Sequence, residues 1–313
     1  IFDEAHKTTG ADGTFASFGL HDENIKINKR LFMTATPKKY ARKSNKDSDI
    51  SVNVMGDSSI YGEVAHYLSF YKAAELDIIC KHKLIISVID SKDLDRQRLK
   101  ESQTIIKKEA INSKYLAKNL ALRDAIKKVN AKKIITFNTT INQADNLIKD
   151  GPLSIGNHLN GYDLYHVSSR QNVKDRKDIL NEFRDAKLSL VSNASCLTEG
   201  VDIPAVDLVA FMSPKKSKVD IAQAAGRALR KPYGSEKEIG YMVVPLFVEK
   251  KGNESLEDAF LNTNFETVRS VITAMMENDE MLEDEVKSIR RNKGVTGNYN
   301  TKRIKKYVEV IGS

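Results

Sequence analysis

Short unbroken apolar runs alternate with longer stretches of helical period along most of the chain. Leu31-Phe32-Met33, Leu84 to Ile89, Lys133 to Phe137, Leu164 to Val167, Leu188 to Val191, Val206 to Phe211 and Tyr241 to Pro245 each read as a buried strand. Between them, Tyr115 to Val129, Ile141 to Lys149 and Val173 to Phe183 carry apolar residues at helical spacing. A further helix opens at Ser217 and stops at Pro232. Strands without internal polar alternation, separated by helices of ten residues or more, predict parallel sheets covered on both faces. Beyond about residue 250 the alternation gives way to helix, Leu256 to Met281.

This pattern divides the chain into a first α/β part (residues 1–90), a charged connection (91–114), a complete second α/β domain (115–250) and a helical C-terminal region (251–313). Ile1-Phe2 reads as the end of a strand whose beginning lies outside the sequence, so the first domain is expected to be truncated.

Composition changes this picture little. The chain has 313 residues, is 41% hydrophobic and 29% charged, and carries a formal charge of +8, which favours a polyanionic partner. The charge is segregated at the C-terminal end. Six carboxylates lie between Glu277 and Glu285, and eight cations with no acid between Lys287 and Lys306. That basic run, edged by Tyr299 and Tyr307, is expected to meet a nucleic-acid backbone. Two cysteines, Cys80 and Cys196, have no metal-ligand spacing and suit a reduced, cytoplasmic setting. No apolar run reaches the ~18 residues of a membrane span, so no membrane partner is expected.

The candidate chemistry sits at strand ends. Leu197 to Pro204 places Thr198, Glu199, Gly200 and Asp202 after a strand, and Gln223 to Arg230 follows on a helix. There Gln223, Arg227 and Arg230 fall at i, i+4 and i+7, which points all three one way. Two guanidiniums on one helix face suit a phosphate chain. Asp3-Glu4-Ala5-His6 ends the first run, and Thr34-Ala35-Thr36 ends the next. Thr136-Phe137-Asn138-Thr139 and Val167-Ser168-Ser169 put hydroxyls and amides at two further strand ends.

These strings, in this order, strongly resemble the motifs of a superfamily-2 helicase or translocase of DEAH type, over residues 1 to about 285. Arg30 to Pro37, Tyr61-Gly62-Glu63-Val64 and Val268 to Ile272 narrow the resemblance to the motor of restriction-type bacterial helicases. The resemblance implies RecA-like domains that hydrolyse ATP in the cleft between them, with Mg²⁺, and move along DNA, read as duplex. Asp3 would hold the metal and Glu4 would polarise the attacking water. His6, Thr34 and Thr36 would couple the nucleotide site to the nucleic-acid path. Thr198, Thr139 and Ser168 would contact nucleic acid, Gly200 and Asp202 the nucleotide. Gln223 would join the catalytic face, and Arg227 and Arg230 would act as arginine fingers on the γ-phosphate. A linked nuclease or methyltransferase domain is expected elsewhere in the intact protein.

The sequence departs from the family in one respect. The phosphate-cradling string G-x-x-x-x-G-K-[ST] occurs nowhere in these 313 residues. These residues alone are therefore expected not to turn over ATP. Two rival readings follow: a non-catalytic nucleic-acid-binding module that keeps the fold, and an RNA helicase.

Overall fold

The computed structural model describes residues 1–11, 17–37, 52–90, 110–151, 154–194, 196–197, 206–213, 217–249, 265–296 and 304–312. The chain forms two compact units, Ile1–Ser69 and Phe70–Ser313.

In the first unit, Phe2 and Phe32 form a parallel bridge. Phe2 N donates to Leu31 O at 2.7 Å, and Met33 N to Phe2 O at 2.9 Å. Their rings stack with centroids 4.9 Å apart, and Tyr61 tilts against Phe32 at the same distance. β1 (Gly10–Ala11) and β2 (Val52–Asn53) pair antiparallel, and α1 (Ser58–Tyr61) is opened by Asp57, which accepts from Ser59 N.

The second unit begins with α2 (Phe70–Glu75) and is built on a seven-stranded, all-parallel sheet. Its strands are β3 (Lys81–Asp90), β4 (Lys133–Phe137), β5 (Asp163–Val167), β6 (Ser189–Asn193), β7 (Leu208–Phe211), β8 (Ile239–Val248) and β9 (Val308–Ile311). They lie in the order β5-β6-β4-β7-β8-β3-β9. The helices are α3 (Ala110–Val129), α4 (Ile141–Ile148), α5 (Val173–Asp185), α6 (Lys218–Leu229), α7 (Glu266–Met276) and α8 (Glu280–Thr296).

Successive strand residues point to opposite faces, so both faces must be covered. Ile135 and Phe137 pack with Phe183 of α5, Ala224 and Ala228 of α6, and Val271 and Met275 of α7. Ile134, one residue away, packs with Leu122 and Ile126 of α3 and Leu147 of α4. Phe137, Phe183 and Phe211 are fully buried, each worth about 1.5–3 kcal/mol against exposure. This is the RecA-like arrangement of a helicase C-terminal domain, as expected.

The structure moves one boundary. The apolar run Leu84 to Ile89, read as the last strand of the first part, pairs parallel with β8 over all ten residues of β3. It therefore belongs to the second unit, whose edge falls at residue 70 rather than near 90. An unbroken apolar run says only that a strand is buried on both faces, not which sheet receives it. Residues 91–109 lie outside the described residues, and Ala110 to Lys114, read as connection, open α3.

Among the described residues the C-terminal region forms two helices, α7 and α8. Asn278 and Asp279 separate α7 from α8, where Asp279 Oδ1 accepts from Leu282 N at 2.9 Å. The region then ends in a strand that periodicity did not predict, β9 beside β3. Tyr307, at the edge of the basic run, is 8% exposed and packs on His82 with centroids 5.4 Å apart. It is part of the core, and burial pushes its phenol up to about 12. Tyr299 lies outside the described residues.

Candidate nucleotide and nucleic-acid site

The acidic motif is held by the parallel bridge before it. Ala5 N donates to Met33 O at 2.9 Å, which sets the Asp3-Glu4 turn beside Thr34. Glu4 has φ 49 and ψ 44, a left-handed conformation that costs a non-glycine residue of order 1–3 kcal/mol. Its N–H donates to Asp3 Oδ1 at 2.8 Å, and its carbonyl accepts from Lys7 N at 2.9 Å. Strain of this kind persists where surrounding contacts over-determine it, and it collects at functional sites.

Four of the sequence-selected residues meet at one atom. His6 Nδ1 lies 3.0 Å from Thr34 Oγ1, 3.5 Å from Thr36 Oγ1 and 3.2 Å from Glu4 Oε2. His6 is 3% exposed. Thr36 N also donates to Thr34 Oγ1 at 3.1 Å. A shift of either threonine must therefore be felt at the imidazole, and through it at the Glu4 carboxylate.

Among the described residues there is no cluster of three or more His, Cys, Asp or Glu that would enclose a metal. Asp3 is exposed, and one carboxylate oxygen is engaged by Glu4 N. Its second oxygen suits a hard cation that keeps several waters and uses one or two carboxylates plus substrate phosphates, as Mg²⁺ does.

In the second unit, Ser217 opens α6 by accepting from Asp220 N at 3.3 Å. Arg227 is 6% exposed and Gln223 lies one turn before it on the same face. Arg230 departs from the expectation. The helix ends at Leu229, and Arg230 is its exposed C-cap with a non-helical backbone, φ −56 and ψ 129. It forms an antiparallel bridge with Ile79, and Leu229 O accepts from Cys80 N at 2.9 Å. The i+7 alignment with Gln223 thus does not apply to it, because the pairing with Ile79 and Cys80, just before β3, ends the helix before Pro232 can. A Cβ on Gly226 would meet nothing within 4 Å among the described residues, so no packing contact there demands glycine.

The same end of α6 shows what sequence reasoning missed. Lys237 Nζ donates to Val206 O at 2.7 Å, Arg230 O at 3.2 Å and Ala228 O. A cation on the last carbonyls is the favourable partner of a helix C-terminus. Burial holds its ammonium below the usual lysine range, opposed by Cys80 and Asp207. Gly240 lets β8 pass this end, since a Cβ there would come within 2.2 Å of Ala228 O. The signal in the sequence is only a lysine and a glycine after Pro232, far too common to select.

Thr139 is exposed after β4, while Thr140 caps α4 by accepting from Gln143 N at 3.2 Å. Ser168 is 3% exposed, with its N–H donating to Gln171 Oε1 at 2.8 Å, and Ser169 beside it is exposed. Asn138, not selected, is buried and donates through Nδ2 to Ser192 Oγ at 3.1 Å and Asn193 O at 3.3 Å. Asn193 Nδ2 returns a bond to Thr136 O at 2.9 Å, which ties the ends of β4 and β6. Thr198, Glu199, Gly200 and Asp202 lie outside the described residues.

Residues 117–232 match the family model of the helicase conserved C-terminal domain. Among solved structures, the ATP-dependent Type ISP restriction-modification enzyme LlaBIII bound to DNA is similar over the whole chain. It shares 27% identity with a TM-score of 0.74, covering 100% of this chain and 21% of that one. The DNA 3'-5' translocase XPB2 of Sulfurisphaera tokodaii is 22% identical over 258 residues, 74% of this chain and 55% of the relative. The chain spans 55% of the length of XPB2 and less of two other curated helicase relatives. From its sheet, its motif-bearing strand ends and these similarities together, residues 117–232 carry a helicase conserved C-terminal domain, and the chain as a whole is similar to superfamily-2 helicases close to restriction-type enzymes.

Proposed function

We propose that this chain is part of a longer ATP-dependent DNA translocase of the restriction-modification type. The observation that carries this reading is likeness across the full chain to a DNA-bound restriction enzyme, at 27% identity and TM-score 0.74. The helicase relatives support ATP with Mg²⁺ as the fuel, and a nuclease or methyltransferase domain elsewhere in the longer protein fits the restriction context.

In this reading Asp3 holds Mg²⁺, which when bound offsets charge on the phosphates. Glu4 orients the attacking water and accepts its proton, and its left-handed backbone fixes where the carboxylate stands. His6, Thr34 and Thr36 relay the state of that carboxylate through the imidazole they share. Arg227 and Arg230 are assigned to the γ-phosphate, with Gln223 beside Arg227. Gly200 and Asp202 are assigned to the nucleotide, and Thr198, Thr139 and Ser168 to the nucleic-acid strand. The phosphate-cradling loop is assigned to the longer protein, so these 313 residues alone do not turn over ATP.

The test is ATP hydrolysis by the longer protein with duplex DNA, single-stranded DNA or RNA added. Stimulation by DNA and its loss in Glu4→Gln are expected. Stimulation by RNA alone would favour the RNA-helicase reading, and no hydrolysis with any nucleic acid would favour a binding module without a motor.

A further inference from the structure

Three buried or half-buried lysines of the second unit can be compared donor by donor. An ammonium offers three N–H bonds. Lys133 Nζ uses all three on Phe183 O, Ala186 O and Ser189 Oγ, and Lys237 uses all three on Val206 O, Ala228 O and Arg230 O. Both are helix caps and are spent. Lys118, on α3, has one acceptor among the described residues, Met212 O at 3.1 Å, and no carboxylate at ion-pair distance. Burial holds its ammonium below the usual range. A cation in this position is costly unless an anion completes it.

Lys118 lines a cavity of about 170 Å³. Asn138 and Ser213, at the carboxyl ends of β4 and β7, form part of its wall, and Tyr115 and Gln143 form another. The Tyr115 hydroxyl donates to Gln143 O at 3.1 Å and the Asn138 amide is tied to β6, so these walls are pre-set. Lys114 adds a second, exposed cation at the rim, 4.0 Å from Glu249.

The place is also the one that topology favours. From β4 the chain builds β5 and β6 on one side, then crosses to β7 on the other. Ligands of open parallel sheets bind outside the carboxyl ends of strands where the order reverses in this way. The cavity is smaller than the ~300–1,000 Å³ that encloses a whole small-molecule ligand. It suits one anionic group presented by an extended chain.

We propose that this cavity is a phosphate subsite for a nucleic-acid strand, with Lys118 as its cation and Asn138, Gln143 and Ser213 as polar partners. The proposal rests on the reading that this protein acts on nucleic acid, and it adds Lys118 of α3 and Ser213, just after β7, to the strand-end motifs.

The test uses the 313-residue chain with a fluorescent single-stranded oligodeoxynucleotide. A salt titration of binding is run for the natural protein, Lys118→Met, Lys118→Arg, and Lys127→Gln as an exposed control at the far end of α3. One phosphate contact contributes about 0.7 to the slope of log K against log[salt] for single strands. Lys118→Met is expected to flatten the slope by about that amount, with Lys118→Arg and Lys127→Gln unchanged. A structural role for Lys118 would leave the slope alone, and an unchanged slope in Lys118→Met overturns the proposal. Lysine-methylation footprinting supplies the second readout, reading Lys118 under oligonucleotide, ATP and inorganic phosphate separately. Protection by the oligonucleotide and by phosphate, but not by ATP at equal concentration, is expected. Stronger protection by ATP would overturn the strand assignment in favour of a free nucleotide. If the chain binds no oligonucleotide at all, the functional reading fails. Lys118 protection by inorganic phosphate then decides the anion site separately, and its absence overturns it.

Discussion

Lys133 and Lys237 do the same work at the ends of two successive helices. Each comes from outside the helix it serves, and each places an ammonium on the last carbonyls of α5 or α6. Charge-assisted hydrogen bonds of this kind are worth about 1.5–3 kcal/mol, and the carbonyls left behind are costly to bury alone. Lys237→Met keeps the apolar stem and removes the donors, so it should lower the stability of the second unit by roughly 1–3 kcal/mol. Urea denaturation checks this, and an unchanged midpoint would show that water replaces the cap without loss. The N-terminal caps were legible in the sequence, as Ser217 shows, because a cap and its helix are neighbours in the chain. The C-terminal caps were not, because the capping lysines belong to other elements and only folding brings them in.

At the scale of elements, the arginine helix is set by a close approach. β8 passes so near the end of α6 that only a residue without Cβ fits at Gly240, and Ile79 and Cys80, which lead into β3, pass the same end. Gly240→Ala should therefore cost about 1–3 kcal/mol or more and shift the end of α6, where Arg227 and Arg230 are held. Calorimetry measures the loss, and full stability in Gly240→Ala would contradict the contact. Periodicity predicted most of the strands and helices of the second unit, since each carries its own pattern. It could not predict that Arg230 leaves the helix, because that is decided with the help of Cys80, 150 positions earlier in the chain, and its neighbour Ile79. Nor could it place β3, whose apolar run fits any doubly covered sheet. Four residues of the acidic and threonine motifs were legible as candidates, but their meeting at His6 Nδ1 required the Phe2–Phe32 bridge.

Across the whole molecule, the C-terminal region closes on β3 through a buried polar contact. His82 Nδ1 lies 3.5 Å from Asp279 Oδ2, both inside the core, with Tyr307 against the imidazole. Burial lowers the His82 pKa from 6.5, and Asp279 opposes that shift. The folded imidazole thus stays neutral at a pH where the unfolded one has taken up its proton. Its contribution to stability is complete above about 6.5 and falls as the pH drops below it. Urea midpoints should decline between pH 7 and 5, and His82→Phe should flatten that decline. An identical decline in the variant would assign the effect to other groups. Motion along DNA is read by triplex displacement with the longer protein. With ATP, the natural protein should strip a third strand from duplex DNA, and Arg227→Ala should slow both displacement and ATP turnover about 10³-fold, with DNA affinity unchanged in the absence of nucleotide. Displacement that continues undiminished in Arg227→Ala, or ATP turnover with no displacement by the natural protein, would contradict the account.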